Sequence, residues 1–386
     1  MSPSLRFPEF TGEWKEERLS EIADIYKGAG ISKDQLSDNG EPCILYGELY
    51  TKYKTETITE VISRTDIDNT KLVRSKANDV IIPCSGETAE DIATARCVIK
   101  DGILLGGDLN IIRLHNYDGS FVSYQLNGKR KYDIAKVAQG VSVVHLYGEH
   151  LKGVKTVNPC LAEQKKISRF LSLLDERIAV QNRLIEDLKK LRCAIVEKMF
   201  KQSKANGRLG DFIEQVSVRN KNGLYSNVLS VSNKQGFVKQ SEQFEDRTVA
   251  SEDTSNYKIV KRNNFAYNPA RINVGSIARL TKFDVGIVSP MYVCFRTKDG
   301  IIPEYMEAFF TSQQFFYEMM KRLEGSVRLC LSYEGLCNIP VYIPNMNKQI
   351  VMGQNISLIL SKIGLEIEYL GRLHQQKQYL LRKMFI

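Results

Sequence analysis

Two short loops in the second half of the chain carry side chains able to hold phosphate oxygens and base edges. Arg271, Asn273, Gly275 and Ser276 follow Tyr267-Asn268-Pro269, and Gly325-Ser326-Val327-Arg328 comes further on. Arginine and asparagine can pair bidentately with purine edges, while serine hydroxyls and backbone amides beside glycine suit phosphates. The matching positions of the first half are Ser85, Glu87 and Thr88, then Gly140, Ser142 and His145. Lys52, Lys54, Asn233, Lys234, Asn268 and Tyr292 complete the set of candidate polyanion contacts. Any one of these loops has the composition of an ordinary solvated surface. Their recurrence in a basic chain is what singles them out. Lys129-Arg130-Lys131 reads as an exposed helix face.

Catalytic patterns do not emerge. No Gly-x-x-x-x-Gly-Lys-Ser/Thr run provides a phosphate cradle. Asn268-Pro269-Ala270-Arg271 is only loosely like the Asn-Pro-Pro-Tyr loop of adenine methyltransferases, since it lacks the second proline and the stacking aromatic. Glu13-Trp14-Lys15 supplies a Glu-x-Lys without the upstream aspartate of a nuclease core. The eight cysteines form no Cys-x-x-Cys pair, and the four histidines lack metal-ligand spacing, so no metal or cofactor is expected on this chain.

The elements that must position these loops are stated twice in the sequence. A constant offset of 185 residues carries Gly140–Lys201 onto 325–386: Gly140 falls on Gly325, Leu151 on Leu336, Pro159 on Pro344, Gln164 on Gln349, and Lys198-Met199-Phe200 on Lys383-Met384-Phe385. The chain is a tandem duplication. After each proline runs one long helix. Leu171, Leu174, Ile178, Gln181, Ile185, Leu188, Arg192, Ile195 and Met199 alternate by three and four, as do Ile356, Ile359, Ile363, Glu366, Leu370, Leu373, Lys377, Leu380 and Met384. That is a coiled-coil seam. The polar seam positions favour an antiparallel pair whose partner numbers sum to 558, with Arg192 facing Glu366, Gln181 facing Lys377, and Ile185 meeting Leu373.

The chain has 54 basic and 45 acidic residues, a net charge of +9, a mild bias compatible with a polyanion. No signal peptide and no 18-residue apolar run are read, so the expectation is a soluble, cytoplasmic protein outside the membrane. The predicted fold is α+β. A mixed α/β domain over 1–155 is followed by a long helix over 156–201, a second domain over 202–340 and a second long helix over 341–386. Strands are read at Cys43–Tyr46, Val80–Ile82, Leu109–Leu114, Val228–Ser232, Asn264–Asn268 and Val285–Phe295, with helices at Phe121–Ala138 and Glu304–Leu323.

The whole layout resembles the specificity subunit of type I restriction–modification systems. The resemblance is carried by Asn158-Pro159 with Glu163-Gln164, Ile343-Pro344 with Lys348-Gln349, Phe265-Ala266-Tyr267-Asn268-Pro269 with Gly275-Ser276-Ile277, and Gly325-Ser326-Val327-Arg328 with Leu331 and Leu336. It implies two target-recognition domains, each reading one half of a split, asymmetric double-stranded DNA site, with the helix pair as a ruler. A seam of about 29 residues is roughly 43 Å long, comparable with one turn of B-DNA plus domain width. It also implies a non-catalytic chain that docks two methyltransferase subunits and a restriction/translocase subunit. S-adenosylmethionine, ATP and Mg belong to those partners. Two alternatives stay open: service to a methyltransferase–nuclease fusion, and a non-DNA coiled-coil scaffold.

Overall fold

The computed structural model describes residues 2–68, 70–140, 143–201, 204–233, 235–243, 253–326 and 328–386. Contacts divide the chain into two units, residues 1–182 with 368–386, and residues 183–367. Each unit takes a stretch of both long helices, Leu161–Lys201 and Met346–Met384.

The first unit holds a five-stranded sheet in the order Ala23–Lys27, Leu109–Leu114, Asp79–Pro83, Arg96–Val98, Thr57–Ile58. Beside it lies a four-stranded sheet, Ser63–Thr65, Glu41–Ile44, Leu104–Leu105, Val73–Arg74. The second unit repeats both, the larger one with one strand fewer. One sheet runs Ile213–Gln215, Val293–Thr297, Phe265–Tyr267, Ile277–Arg279, and the other Gly236–Lys239, Val228–Ser232, Val285–Val288, Lys258–Lys261. In the four-stranded sheet of the first unit, and in the sheet of the second that holds Val228–Ser232, the central pair is parallel and its outer neighbours are antiparallel. The duplication therefore reaches strand order as well as sequence, and the α+β expectation holds.

Three local readings need correction. Val285–Phe295 is two strands, because Tyr292 N–H closes a turn onto Ser289 O at 3.0 Å and sends the chain into the other sheet. The helix read over Glu304–Leu323 is Pro303–Phe310 followed by Gln313–Met320. Ser312 breaks it by accepting from Phe315 N–H, an N-cap in mid-pattern. The helix read over Phe121–Ala138 likewise divides into Gly119–Asn127 and Lys131–Val137 at Gly128.

Each long helix is anchored by the same glutamine. Gln164 donates to Pro159 O at 2.8 Å and accepts from Asp118 N–H at 2.9 Å. Gln349 donates to Pro344 O and accepts from Ile302 N–H, both at 3.0 Å. A buried glutamine side chain with both ends used avoids the cost of an unmet polar group. Each helix also ends in a buried phenylalanine. Phe385 packs against Phe121 with ring centroids 5.2 Å apart in the first unit, and Phe200 against Tyr305 at 5.3 Å in the second.

Within each unit the helices run antiparallel. Leu171, Leu174 and Ile178 share the first core with Leu373, Leu380 and Met384, and Val196 and Phe200 share the second with Ile356. The polar seam positions make contacts that the 558 register did not assign. Lys377 puts its ammonium 2.6 Å from both Asp175 and Glu56, and Tyr124 donates to the other oxygen of Asp175 at 2.6 Å. Glu366 bonds Lys362 on its own helix. Arg192 contributes to the field around Glu307. Glu56 lies 321 positions from Lys377, which no helix periodicity can foresee.

Among the described residues, one helix, Met346–Met384, is long and apolar enough to cross a membrane by length and composition alone. The reason is that it is apolar on two faces. Ile356, Ile363, Leu373, Leu380 and Met384 are buried, while Leu358, Leu365 and Ile367 stand 49 to 68% exposed.

Candidate nucleic-acid interface

The structure brings together the loops that sequence paired. In the second unit Leu331 N–H donates to Pro269 O at 3.1 Å, and the Tyr267 hydroxyl to Leu331 O at 3.2 Å. In the first, Leu146 N–H donates to Cys84 O at 2.9 Å, the same bond 185 residues earlier. Glu324 and Cys330 exchange backbone bonds at 2.9 and 2.8 Å, as Gln139 and His145 do at 2.9 and 2.7 Å. Each bridge closes a loop that opens on a glycine with positive φ, +117° at Gly325 and +123° at Gly140. A Cβ there would meet Arg328 O at 2.4 Å and Val143 O at 2.1 Å, so both loops require glycine.

In the second unit Arg271, Arg328, Ser326 and Asn233 are exposed and Asn273 half-buried. Among the described residues, no hydrogen bond or ion pair occupies the guanidinium of Arg271 or Arg328. Three other candidates lie inside the unit with their polar atoms engaged. Asn268 Oδ1 accepts from Ala270 N–H at 3.1 Å, Ser276 donates to Val231 O at 3.0 Å, and the Tyr292 hydroxyl accepts from Val231 N–H at 3.4 Å. They shape the loop that presents Arg271. Lys234 and Ser142 lie outside the described residues.

In the first unit Val144–His145 pairs antiparallel with Ser85–Gly86, putting His145 opposite Ser85. Glu87 is exposed. Thr88 is an N-cap, accepting from Asp91 N–H at 3.0 Å. The Lys52 ammonium is held by the buried Glu48 at 2.7 Å and by Ser63 at 2.6 Å, and Lys54 donates to Tyr50 O. Neither lysine sits in the cleft at the Ser85–His145 pairing. That cleft, about 540 Å³, is lined by Lys27, Ser85, Asn110, His145, Tyr147 and Lys152 among others. Tyr147 was not anticipated. Its ring stacks on His145 at 6.2 Å and 24°, and it is 52% exposed. The available signal was period two: beyond an extended His145, position 147 returns to the same face. Burial pushes the nearby Cys84 thiol up to about 11, which keeps it protonated and unreactive. Among the described residues, no group of three or more His, Cys, Asp or Glu could hold a metal ion.

Residues 11–190 match the type I restriction modification DNA specificity domain. That stretch is similar to the specificity subunits of type I restriction–modification systems. The type I restriction enzyme MjaVIII specificity subunit of Methanocaldococcus jannaschii is 25% identical over 197 residues, 51% of this chain. That match spans 43% of the relative's own length. Among solved structures, the S subunit of a type I restriction–modification system from M. genitalium superposes with a TM-score of 0.65 at 19% identity, covering 100% of this chain and 99% of that one. A chain from a structure of type I system assembly and conformational transition gives 0.55 at 13% identity, covering 98% of each. At such identities these likenesses speak for the fold.

Proposed function

We propose that this chain is a non-catalytic DNA reader whose two units each recognise one half of a split, asymmetric site, and which directs adenine N6 methyltransferase and restriction/translocase subunits to it. The observation that carries this reading is one frame bearing two unlike faces. At the positions of Arg271 and Arg328 the first copy has Gly86 and Val143, and at the positions of His145 and Tyr147 the second has Cys330 and Ser332. Matched loops with unmatched side chains suit two different half-sites. Arg271 and Arg328 favour a purine edge or phosphate, and the Tyr147–His145 step offers stacking and apolar contact.

Partner docking has its own support. Leu173 and Val180 of the first long helix are 46 and 65% exposed; their equivalents Leu358 and Leu365 are 68 and 63% exposed. Exposed aliphatic pairs at heptad spacing, present once per unit, fit two copies of one helical partner. S-adenosylmethionine, ATP and Mg would then be bound by the partners.

The test is to express the chain with its methyltransferase subunit in a methylation-free host and map N6-methyladenine across the genome. A bipartite motif with two different halves and a fixed gap is expected. A continuous palindrome, or no motif from a folded complex, overturns the reading. DNA binding insensitive to salt would instead favour the scaffold alternative, since phosphate contacts release counterions.

A further inference from the structure

The two helix seams carry one cation each at equivalent positions, Lys377 and, 185 residues earlier, Arg192. In the first unit the cation is neutralised by Asp175 and Glu56. In the second unit the residue equivalent to Asp175 is Leu360. Among the described residues, no hydrogen bond or ion pair engages the Arg192 guanidinium. It lines a cavity of about 530 Å³ whose walls include Phe265, Phe315, Met319, Ile356 and Leu360. Among the described residues, the one carboxylate on that wall, Glu307, is already held by Arg279 at 2.8 Å. Arg279, Lys282, Asn233 and Gln235 also line the cavity, so its wall is part apolar and part polar. Arg192, which contributes to the field around Glu307, has no hydrogen-bonded partner among the described residues. An apolar stretch beside such a fork donor is the makings of a ligand site, and a guanidinium matches a carboxylate bidentately.

We infer that the second unit binds a small organic carboxylate with an aromatic or branched apolar body, its carboxylate on Arg192 and its body against the exposed Phe316 and Leu360. The site goes beyond DNA reading and does not depend on it. In the first unit the chain's own Asp175 supplies the carboxylate at this seam position; in the second an external one takes its place.

The test titrates 4-phenylbutanoate into the full chain by calorimetry, with the neutral 4-phenylbutan-1-ol as control. The carboxylate should bind at least about tenfold more tightly than the alcohol, a difference of ~1.4 kcal/mol. Arg192→Gln should lose that preference. Leu360→Asp, which restores an internal carboxylate beside Arg192, should abolish binding while keeping the wild-type circular dichroism and melting transition. Equal binding of acid and alcohol, undiminished binding in both variants, or no binding of the acid at millimolar concentration would each overturn the site.

Discussion

Lys377 lies 2.6 Å from the carboxylate of Asp175, joining the two long helices by a charge pair inside the first unit. Asp175 is 6% and Glu56 7% exposed. Burial lifts the Asp175 carboxyl above its usual range more than Lys377 lowers it, whereas the two carboxylates outweigh burial for Lys377 and raise its ammonium above 10.5. Removing the cation takes the ion-pair partner from two buried carboxylates. Lys377→Met should therefore cost ~3–5 kcal/mol, read as a lowered melting temperature of the full chain. A variant that melts with wild type would show the pair to be solvated.

The same pair sets a pH dependence. A raised lysine pKa means stability fully present below the unfolded value of 10.5 and lost as pH rises through the higher folded value. For Asp175 the raised folded value means that ionisation costs stability as pH climbs above 3.8. Asp175→Asn should thus differ from wild type most at neutral pH, with the difference shrinking as acid protonates Asp175. Urea melts at pH 7 and at successively lower pH measure this, and a gap that widens in acid would contradict the assignment.

Arg271 and Ser276 sit five residues apart and should fail differently. Arg271→Ala removes an uncommitted exposed cation. DNA affinity should fall and the salt slope drop by about one, with the melting temperature unchanged. Ser276→Ala removes a buried bond to Val231 O and should cost ~1–3 kcal/mol. If Arg271→Ala also lowered the melting temperature, the side chain would be scaffold.

Gly325→Ala forces a Cβ against Arg328 O in a left-handed backbone, a strain of ~1–3 kcal/mol. Recognition by the second unit should degrade while the first half of any methylation motif stays strict. Gly140→Ala should give the mirror result. Loss of both halves from either substitution would show that the loops are not independent.

Leu173→Asp and Leu358→Asp test partner docking on the exposed stripes. Each single variant should bind one methyltransferase subunit and the double variant none, as weighed by native mass spectrometry. Two subunits retained by the double variant would place the docking surface elsewhere.

Sequence made the frame legible where repetition and periodicity carried it. Pro159 and Pro344, Gln164 and Gln349, and Gly140 and Gly325 occupy equivalent places because each does the same mechanical job in both copies. The exposed guanidinium of Arg271 was visible as an arginine in a glycine-containing loop. What stayed hidden was set by tertiary contact. Asn268, Ser276 and Tyr292 have contact-like chemistry but spend it within the unit. Glu56 answers Lys377 only once the fold is made, and Ser312 caps a helix inside a pattern that reads as continuous.

The buried Phe385 has a consequence in time. The core of the first unit includes residues 368–386, so on the ribosome it must wait for a segment made after all of residues 183–367. The second unit, contiguous in sequence, can close first. The half of the protein that is synthesised earliest is therefore the last to be complete, and it stays open to chaperones or proteases while the other half is already packed.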